Sequence, residues 1–478
     1  MSRSKILALV ASAVVAATGC VPSLQGNDPR EPNRAVPESF GTGQSEGGAP
    51  SLAHEKWSEL FDDAELRALI EQALGKNQEL NMRLQEIIIA GTEVSARVGE
   101  VYPKVSAGAT AGVEKTGGRT SQGVSDEAHG LPENLGNFGF GLRGSWEVDI
   151  WKKLRNAAKA ADLRYFATIE ARNFLVTQIV AELARSYFEL AALDNQVDVL
   201  KQNIQVQADA LEVVKLQKEA ARVTELAVKR FEAEVLKNKS HLYDLEQERV
   251  QAENRINFLV GRYPQPVRRS SQRFKQPLPD AVRTGLPSQL LDNRPDVRQA
   301  ELELAASKLD VKVAKAAFYP SLTIDAGLGY RSFNAGHLVN TPESLAWGVA
   351  GGISAPLLNR AAITAQYRAA NARQVQAVFN YEKTLLQAFT DVATQLALIE
   401  NLQKSYELKE QQVDALGKSS EISAVLFQSA RADYMEVLLT RRDTLEGQME
   451  LIETRKKQLH AMVNVYQALG GGWRTRSS

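Results

Sequence analysis

The sequence predicts a mixed fold of long α-helices and membrane β-strands, in which one structural unit occurs twice along the chain. Three observations predict this fold. Two regions of the chain share a pattern of helix, Tyr-Pro pair and alternating strand. The strands place an apolar or small residue at every second position. Very long segments contain neither Gly nor Pro, as continuous helices require.

The internal repeat is clearest where a helix is followed by a strand. Leu80 to Gly112 matches Val297 to Gly329, and both segments contain a Tyr-Pro pair. Each half then continues into a long segment rich in Ala and Gln. The folded chain is therefore predicted to consist of a first repeat over 52–260, an inter-repeat linker over 261–290 and a second repeat over 291–478.

The N-terminus has the pattern of a bacterial lipoprotein signal. Basic residues precede an apolar run of about a dozen residues, Ile6 to Ala17, which is too short to cross a membrane as a helix. Cys20 is the only cysteine and stands where such a signal is cleaved and acylated. We therefore expect a signal peptide over 1–19 and lipidation of Cys20. The alternative is an ordinary secretory signal followed by an unmodified cysteine.

The segment that follows is predicted to be a tether. Residues 20–51 are rich in Pro, Gly, Ser and Asn and contain few aromatic or β-branched residues, so we expect a flexible, lipidated segment. Val21 follows the cysteine, where Asp would favour retention at the inner membrane. This choice of residue favours transfer to the outer membrane.

Four segments alternate between apolar and polar or small residues, which is the pattern of membrane β-barrel strands. They are, in chain order, Val105–Val113, Phe138–Ile150, Leu322–Tyr330 and Leu345–Ile353. The members of each pair are joined by loops rich in Gly, Ser and Asn, over 116–137 and 332–344. We expect these two loops on the outer side of the cell.

Four strands cannot close a barrel, and a sheet in lipid tolerates no free edge. The smallest filled barrels need about eight strands. Three chains with four strands each would close a twelve-stranded β-barrel, so the strands predict a homotrimer. The alternative is a soluble α+β protein in which two β-hairpins pack on helices.

The helices are predicted to differ in length in a regular way. The longest, Lys152 to Leu216, spans about 98 Å, and Ala361 to Leu416 is its repeat. The return helices, Thr224–Val260 and Asp433–Leu469, span about 55 Å. The helices at Asn77–Val101 and Arg294–Phe318 add about 36 Å each. Together they predict a long α-helical barrel of uniform height, continuous with the β-barrel; a coiled-coil stalk without a pore is the alternative.

Composition and motifs argue against several functions. Basic and acidic residues number 57 each, so no net charge points to nucleic acid. The five histidines are scattered and do not have the spacing of metal ligands. A Gly-x-Gly-x-x-Gly sequence at Gly139–Gly144 lies inside a predicted strand, where glycines allow neighbouring backbones to approach, rather than before a helix. We therefore expect no enzymatic activity and no cofactor.

The chain resembles the TolC-like outer-membrane factors, in the lipoprotein branch that serves resistance-nodulation-division pumps. The resemblance covers nearly everything from Trp57 to Trp473. It rests on Ser-Trp-Glu-Val-Asp-Ile-Trp at 145–151, Asn-Arg-Pro-Asp-Val at 293–297, Phe-Tyr-Pro-Ser-Leu at 318–322 and Tyr-Gln-Ala-Leu-Gly-Gly-Gly-Trp at 466–473.

The resemblance implies the function of an outer-membrane exit duct in a tripartite efflux system. Such a duct extends into the periplasm and passively conducts drugs or other small molecules. The implied partners are a periplasmic adaptor (membrane fusion) protein and an inner-membrane resistance-nodulation-division transporter. Exit ducts of type I protein secretion and of metal-ion efflux are the alternatives within this class, and a non-pore periplasmic lipoprotein is the alternative outside it.

The resemblance also implies that the helical hairpins close an aperture at their periplasmic turns, predicted at Glu219–Leu226 and Gln428–Met435. The candidate closed-state links are Arg431, Asp433, Tyr434 and Glu436, and the candidate apolar constriction is Met435. Leu439 stands where many relatives carry Asp. The candidate adaptor-docking tips are Ala221, Arg222, Val223, Thr224, Ala430 and Arg431. A solvated turn or a packing contact is the alternative for each residue.

Overall fold

The computed structural model describes residues 21–24, 28–40, 51–270, 274, 287–356, 358, 360–429 and 431–474. The predicted signal peptide and Cys20 lie outside these residues. The described residues group into two compact units. The sheet unit comprises those within 1–32, 87–167 and 301–380; the helical unit comprises those within 33–86, 168–300 and 381–478. Each unit therefore draws on both halves of the chain.

The first half contains these α-helices among its described residues: α1 Trp57–Leu60, α2 Ala64–Lys76, α3 Gln78–Gly99, α4 Ser121–Ala128, α5 Lys153–Glu219 and α6 Glu225–Val260. Helix α4 lies within the segment for which the sequence predicted only a loop. The Thr120 hydroxyl caps it by accepting a hydrogen bond from the Gly123 N–H at 3.1 Å. A capped first turn therefore forms in a segment whose composition favours a loop.

The second half repeats the order with α7 Leu290–Asn293, α8 Pro295–Ala316, α9 Ala361–Gln428 and α10 Tyr434–Ala468. Helix α9 continues through Gly417, although the sequence predicted its uninterrupted part only as far as Leu416. A single glycine costs a helix about 1 kcal/mol, which is little beside the packing of so long an element. None of the helices in the described part of the chain is both long and apolar enough to cross a membrane.

The strands form one antiparallel sheet in the order β1-β2-β3-β4, with β1 Lys104–Lys115, β2 Asn134–Val148, β3 Ser321–Ser332 and β4 Leu345–Ser354. Gly141 lies between Gly108 on β1 and Gly329 on β3. A Cβ added to Gly141 would lie 2.5 Å from the Leu328 carbonyl oxygen. Gly141, the central glycine of the Gly-x-Gly-x-x-Gly sequence, thus permits the close strand packing that was predicted.

The core of the helical unit lies between α2, α5 and α6, where Ile70, Leu183 and Ile256 are fully buried. The Asp63 carboxylate begins α2 by accepting a hydrogen bond from the Glu65 N–H at 2.9 Å. Its second oxygen accepts one from the buried Tyr187 hydroxyl at 2.9 Å. The first backbone turn of α2 and a core tyrosine therefore each donate a hydrogen bond to one oxygen of the same carboxylate.

The Arg-Pro-Asp motif and the C-terminal Gly-Gly-Gly-Trp sequence meet in the helical unit. The Arg294 guanidinium is buried and pairs with Asp296 at 2.7 Å. It also donates to the Ala468 carbonyl at 3.1 Å. The Trp473 indole N–H donates to the Asn293 carbonyl at 3.3 Å. The two motifs are therefore parts of one junction that joins the end of α10 to the start of α8.

Residues 28–40 make specific contacts along α9, which differs from the flexible tether expected there. In the sheet unit, the Gln374 side-chain amide donates to the Arg30 carbonyl at 2.8 Å. In the helical unit, Phe40 is 4% exposed and stacks on Phe389, with ring centroids 5.3 Å apart. Polar composition alone predicts solvation, but two aromatic rings and a buried amide hold these parts of the segment on the helix.

Candidate functional site

The two turns predicted to form the aperture have related backbones. We call α5 and α6 the first hairpin, and α9 and α10 the second. In the first turn, the Arg222 N–H donates to the Gln217 carbonyl at 2.8 Å, and Ala221 has a left-handed φ of 54°. In the second turn, the Arg431 N–H donates to the Leu426 carbonyl, also at 2.8 Å. Both bonds close a helix end in the manner of a Schellman motif.

The return helices begin alike at the two tips. Thr224 is the N-cap of α6 and Asp433 is the N-cap of α10, and neither side chain bonds its own helix. Ala221, Arg222 and Thr224 are exposed and Val223 is half-buried. Of the predicted docking residues, Ala430 lies outside the described residues. The others lie at the two turns, and all of them except Val223 are exposed.

The charges at the two tips differ. In the first turn, Lys218 and Glu225 form an ion pair. The hydrogen bond from Lys218 lowers the pKa of the exposed Glu225 carboxyl. In the second turn, Arg431, Asp433 and Glu436 are exposed and form no ion pair within the part of the chain that the structure describes. Three of the predicted closed-state links therefore have no ion-pair partner among the residues that the structure describes.

A hydrophobic cluster joins the two hairpins just behind the turns. Its buried members all belong to the first hairpin: Leu211, Val214, Ala227, Val228, Phe231 and Val235. The second hairpin contributes Phe427, Tyr434 and Leu438, which are partly buried. We call these nine residues the tip cluster. The predicted link residue Tyr434 thus packs against the neighbouring hairpin of its own chain.

The remaining candidates lie on the first turns of α10. The Met435 thioether sulfur accepts a hydrogen bond from the Arg230 guanidinium of the first hairpin at 3.4 Å. Leu439 is 41% exposed. One turn further, the Arg441 guanidinium donates to the Val206 carbonyl of α5 at 3.0 Å. Sequence reasoning missed Arg441, because no local pattern indicates a bond between residues so far apart in the chain.

The sheet separates its side chains into an apolar and a polar face. One row of registered partners runs Ala107, Leu142, Leu328 and Trp347 from β1 to β4. Residues 105–113 that share this face, and their registered partners, carry no charge. Strand alternation assigns six of the seven charged residues of the strands to the other face, and only Lys115, the last residue of β1, falls on the apolar one. The six are Lys104, Glu114, Arg143, Glu147, Asp325 and Arg331. Such a sheet can contact lipid on one side and water on the other.

No group of three or more His, Cys, Asp or Glu side chains in the described ranges is placed to hold a metal ion. Cys20, the predicted lipidation site, lies outside those ranges.

The sequence profile of the outer membrane efflux protein family matches residues 69–262 and 286–471. The two matches correspond to the two halves of the chain and cover more than half of it. The chain belongs to the outer membrane efflux protein family. Membership confirms the predicted resemblance and the placement in the outer membrane, and the mostly helical fold with four antiparallel strands is confirmed as well.

Two relatives can be aligned with nearly the whole chain. The probable outer membrane lipoprotein SilC of Salmonella typhimurium is 26% identical over 475 residues, which cover 99% of this chain and 100% of SilC. The cation efflux system protein CusC of Escherichia coli O6:H1 is 27% identical over 479 residues, again covering 99% and 100%.

The solved structure of the outer-membrane channel OprN has the same fold. Its TM-score is 0.84 at 24% sequence identity, and the likeness covers 94% of this chain and 100% of OprN. The sheet and the helical hairpins therefore belong to a fold found in other outer-membrane efflux proteins.

Proposed function

We propose that three copies of this chain form the exit duct of a tripartite efflux system. Strands β1 and β4 are the two edges of the sheet, and every residue of both strands is exposed. Each edge carries backbone groups without a partner strand, which lipid does not tolerate. Pairing β4 of one copy with β1 of the next removes both edges. Three copies then contribute twelve strands to one closed barrel.

The two faces of the sheet support this arrangement. With the apolar face outward, Trp347 and Phe140 contact lipid, and the charged side chains line an aqueous lumen. The reverse orientation would place Arg143 and Asp325 in hydrocarbon, at a cost of several kcal/mol. The closed barrel therefore provides a water-filled path, and conduction through it is passive.

The helical hairpins supply the control point. We place the aperture at the two tips and assign the closed-state links between copies to Arg431, Asp433 and Glu436. Their exposure, and the lack of an ion pair to any described residue of the same chain, support this assignment. Tyr434 and Met435 act within the chain, through the tip cluster and Arg230. Leu439 takes part as an exposed apolar residue of the constriction.

The turns also form the docking surface for a periplasmic adaptor protein, which couples the duct to an inner-membrane resistance-nodulation-division transporter. The exposed turn residues Ala221, Arg222, Thr224 and Arg431 support this role. The Thr224 and Asp433 side chains do not cap their own helices and remain available to a partner. Lipidation of Cys20 would hold the duct to the outer membrane from the periplasmic side.

Metal cations are a second candidate cargo, because CusC, a relative that matches nearly the whole chain, is named a cation efflux system protein. The described residues contain no cluster of three metal-ligating side chains. A cation would therefore pass in water rather than move between bound sites. Drugs and other small molecules would use the same path, so the pump determines the cargo.

Planar lipid bilayers test the proposal. The mature protein with Cys20→Ser, purified in detergent, should insert and give discrete conductance steps. A stalk protein without a pore would remain soluble without detergent and would leave the bilayer insulating.

Lipidation has a test of its own. Labelled palmitate should appear in the wild-type protein of growing cells and be absent from the Cys20→Ser variant. Equal labelling of the two proteins would exclude Cys20 as the lipidation site.

A further inference from the structure

The side chain of Arg441 on α10 donates a hydrogen bond to the backbone of the first hairpin. Its half-buried guanidinium donates from Nη1 to the main-chain carbonyl of Val206 on α5, at 3.0 Å. The bond joins the second hairpin to the first. In the described ranges Arg441 has no carboxylate partner, and burial lowers its pKa. A cation has thus been partly removed from water for a single bond to a backbone oxygen.

The neighbours of Arg441 on α10 bond elsewhere. Thr440 contacts Ser423 at 2.8 Å, and Thr444 donates to the Leu416 carbonyl at 3.1 Å. Both contacts lie within the second hairpin. Arg442 pairs only with the adjacent Asp443, at 3.2 Å. From Thr440 to Thr444, Arg441 is therefore the one residue whose side chain is seen to bond the other hairpin in the described part of the chain.

Polar contacts between the hairpins are sparse near the tips. In the described part of the chain from Arg441 to the turns, the other such contact is the weak one between Arg230 and Met435. Both contacts are donated by a guanidinium, but a carbonyl oxygen is a stronger acceptor than a thioether sulfur. The Arg441 bond and the tip cluster therefore provide most of the attachment of the second hairpin to the first at this level.

We propose that Arg441 is a latch that holds the second hairpin against the first in the closed state. The inference rests on the proposed aperture and adds a positioning residue to it. When the second hairpin moves outward, the bond to Val206 breaks and the guanidinium becomes hydrated. Because water solvates the released cation well, the latch opens at modest cost and closes again when the hairpin returns.

The acceptor gives the latch a distinctive property. Val206 accepts through its backbone carbonyl, which has a second lone pair besides the one used in the helix. Substitution of the Val206 side chain therefore leaves the latch intact, whereas removal of the Arg441 donor abolishes it. An ion pair would respond to substitution on both sides.

The experiment compares four variants in the mature Cys20→Ser background, in planar bilayers containing KCl. Arg441→Met keeps the length of the side chain and removes every donor. Arg442→Met is the matched control, and Val206→Leu tests the backbone acceptor. We expect the open fraction to rise roughly tenfold in Arg441→Met and to match the parent in the other two. Arg441→Lys, which restores a donor, should fall between Arg441→Met and the parent.

Hydrogen exchange provides a readout that does not require conduction. Amides of α6 and α10 near the turns should exchange faster in Arg441→Met, and at the parent rate in Arg442→Met. Equal behaviour of these two folded variants in both measurements would overturn the latch. A parent that never conducts, but whose exchange still responds to Arg441→Met, would overturn the exit duct and leave the latch between hairpins standing.

Discussion

The two hairpin tips share a backbone turn but use their charges differently. Both turns close with an N–H to carbonyl bond of 2.8 Å, donated by Arg222 in one and Arg431 in the other. In the first tip, Lys218 and Glu225 pair across the turn. The second tip leaves Arg431 unpaired among the described residues. The repeat therefore preserves the backbone of the turn but not its charges: those of the first tip pair with each other, and those of the second have no ion-pair partner among the described residues.

The two tips also differ in how deeply their side chains are buried. The buried side chains of the tip cluster come from the first hairpin, while the second contributes only partly buried ones. The second hairpin thus rests on the first through Tyr434, Leu438 and the Arg441 bond. We infer that the first hairpin is the fixed support and that the second is the part that moves when the aperture opens.

The largest effect is expected from Phe231→Ala. Phe231 is 1% exposed in the tip cluster, and truncation of a buried Phe costs about 3–5 kcal/mol. Hydrogen exchange should show both tips opening locally. Leu226→Ala on the same helix is the control, because Leu226 is 57% exposed and its truncation should cost about 0.5 kcal/mol or less. Similar exchange in the two variants would refute the supporting role of the cluster.

The charges of the second tip should affect conduction. Asp433→Asn combined with Glu436→Gln removes two proposed closed-state links, and each kcal/mol lost raises the open fraction roughly fivefold. The matched change in the first tip, Glu225→Gln, should leave conductance unchanged. Single-channel recording compares them. If the first-tip variant opens the channel as far as the second-tip variant, the two tips do not have separate roles.

A smaller effect, of opposite sign, is expected at the first turn. Ala221 has a φ of 54°, where glycine has no steric penalty. Ala221→Gly should therefore stabilise the turn by about 1 kcal/mol and slow local hydrogen exchange. Ala210→Gly, inside α5, is the control and should cost about 1 kcal/mol. Faster exchange in Ala221→Gly would show that the strain at this turn is negligible.

The smallest effect concerns pH. The pKa of Glu225 lies below its ordinary value of 4.5 because Lys218 donates a hydrogen bond to the carboxylate. Its stabilising contribution is therefore complete above 4.5 and disappears as the pH falls through the lower, folded value. Relative to the intrinsic exchange rate of each amide at the same pH, exchange at the first turn should quicken over that range in the parent and stay level in Glu225→Gln. The same acceleration in both proteins would assign the effect to another group.

Local sequence patterns predicted most of the helices and strands. The helix predicted over Lys152–Leu216 is observed as Lys153–Glu219, and the first strand predicted over Val105–Val113 as Lys104–Lys115. The helix follows from a long segment without Gly or Pro and the strand from a spacing of two residues, and both signals lie within the segment itself. Their ends differ by a few residues because capping and tertiary packing set them.

The site was less predictable, because its contacts join distant parts of the sequence. The turns at 219–226 and 428–435 follow from the repeat, and the structure places both turns as expected. The bond from Arg441 to Val206 has no local signal, since its acceptor is a backbone oxygen that any residue provides. The packing of Phe40 on Phe389 was missed for the same reason, as composition does not record which helix a segment meets.

The mass of the mature Cys20→Ser protein in detergent tests the central claim, a barrel closed by three chains, most directly. Light scattering corrected for bound detergent should give a particle of three chains that resists dilution. Each chain would then have both edge strands paired, as β1 and β4 require. A monodisperse monomer that stays soluble without detergent would contradict the closed barrel, and with it the proposed exit duct.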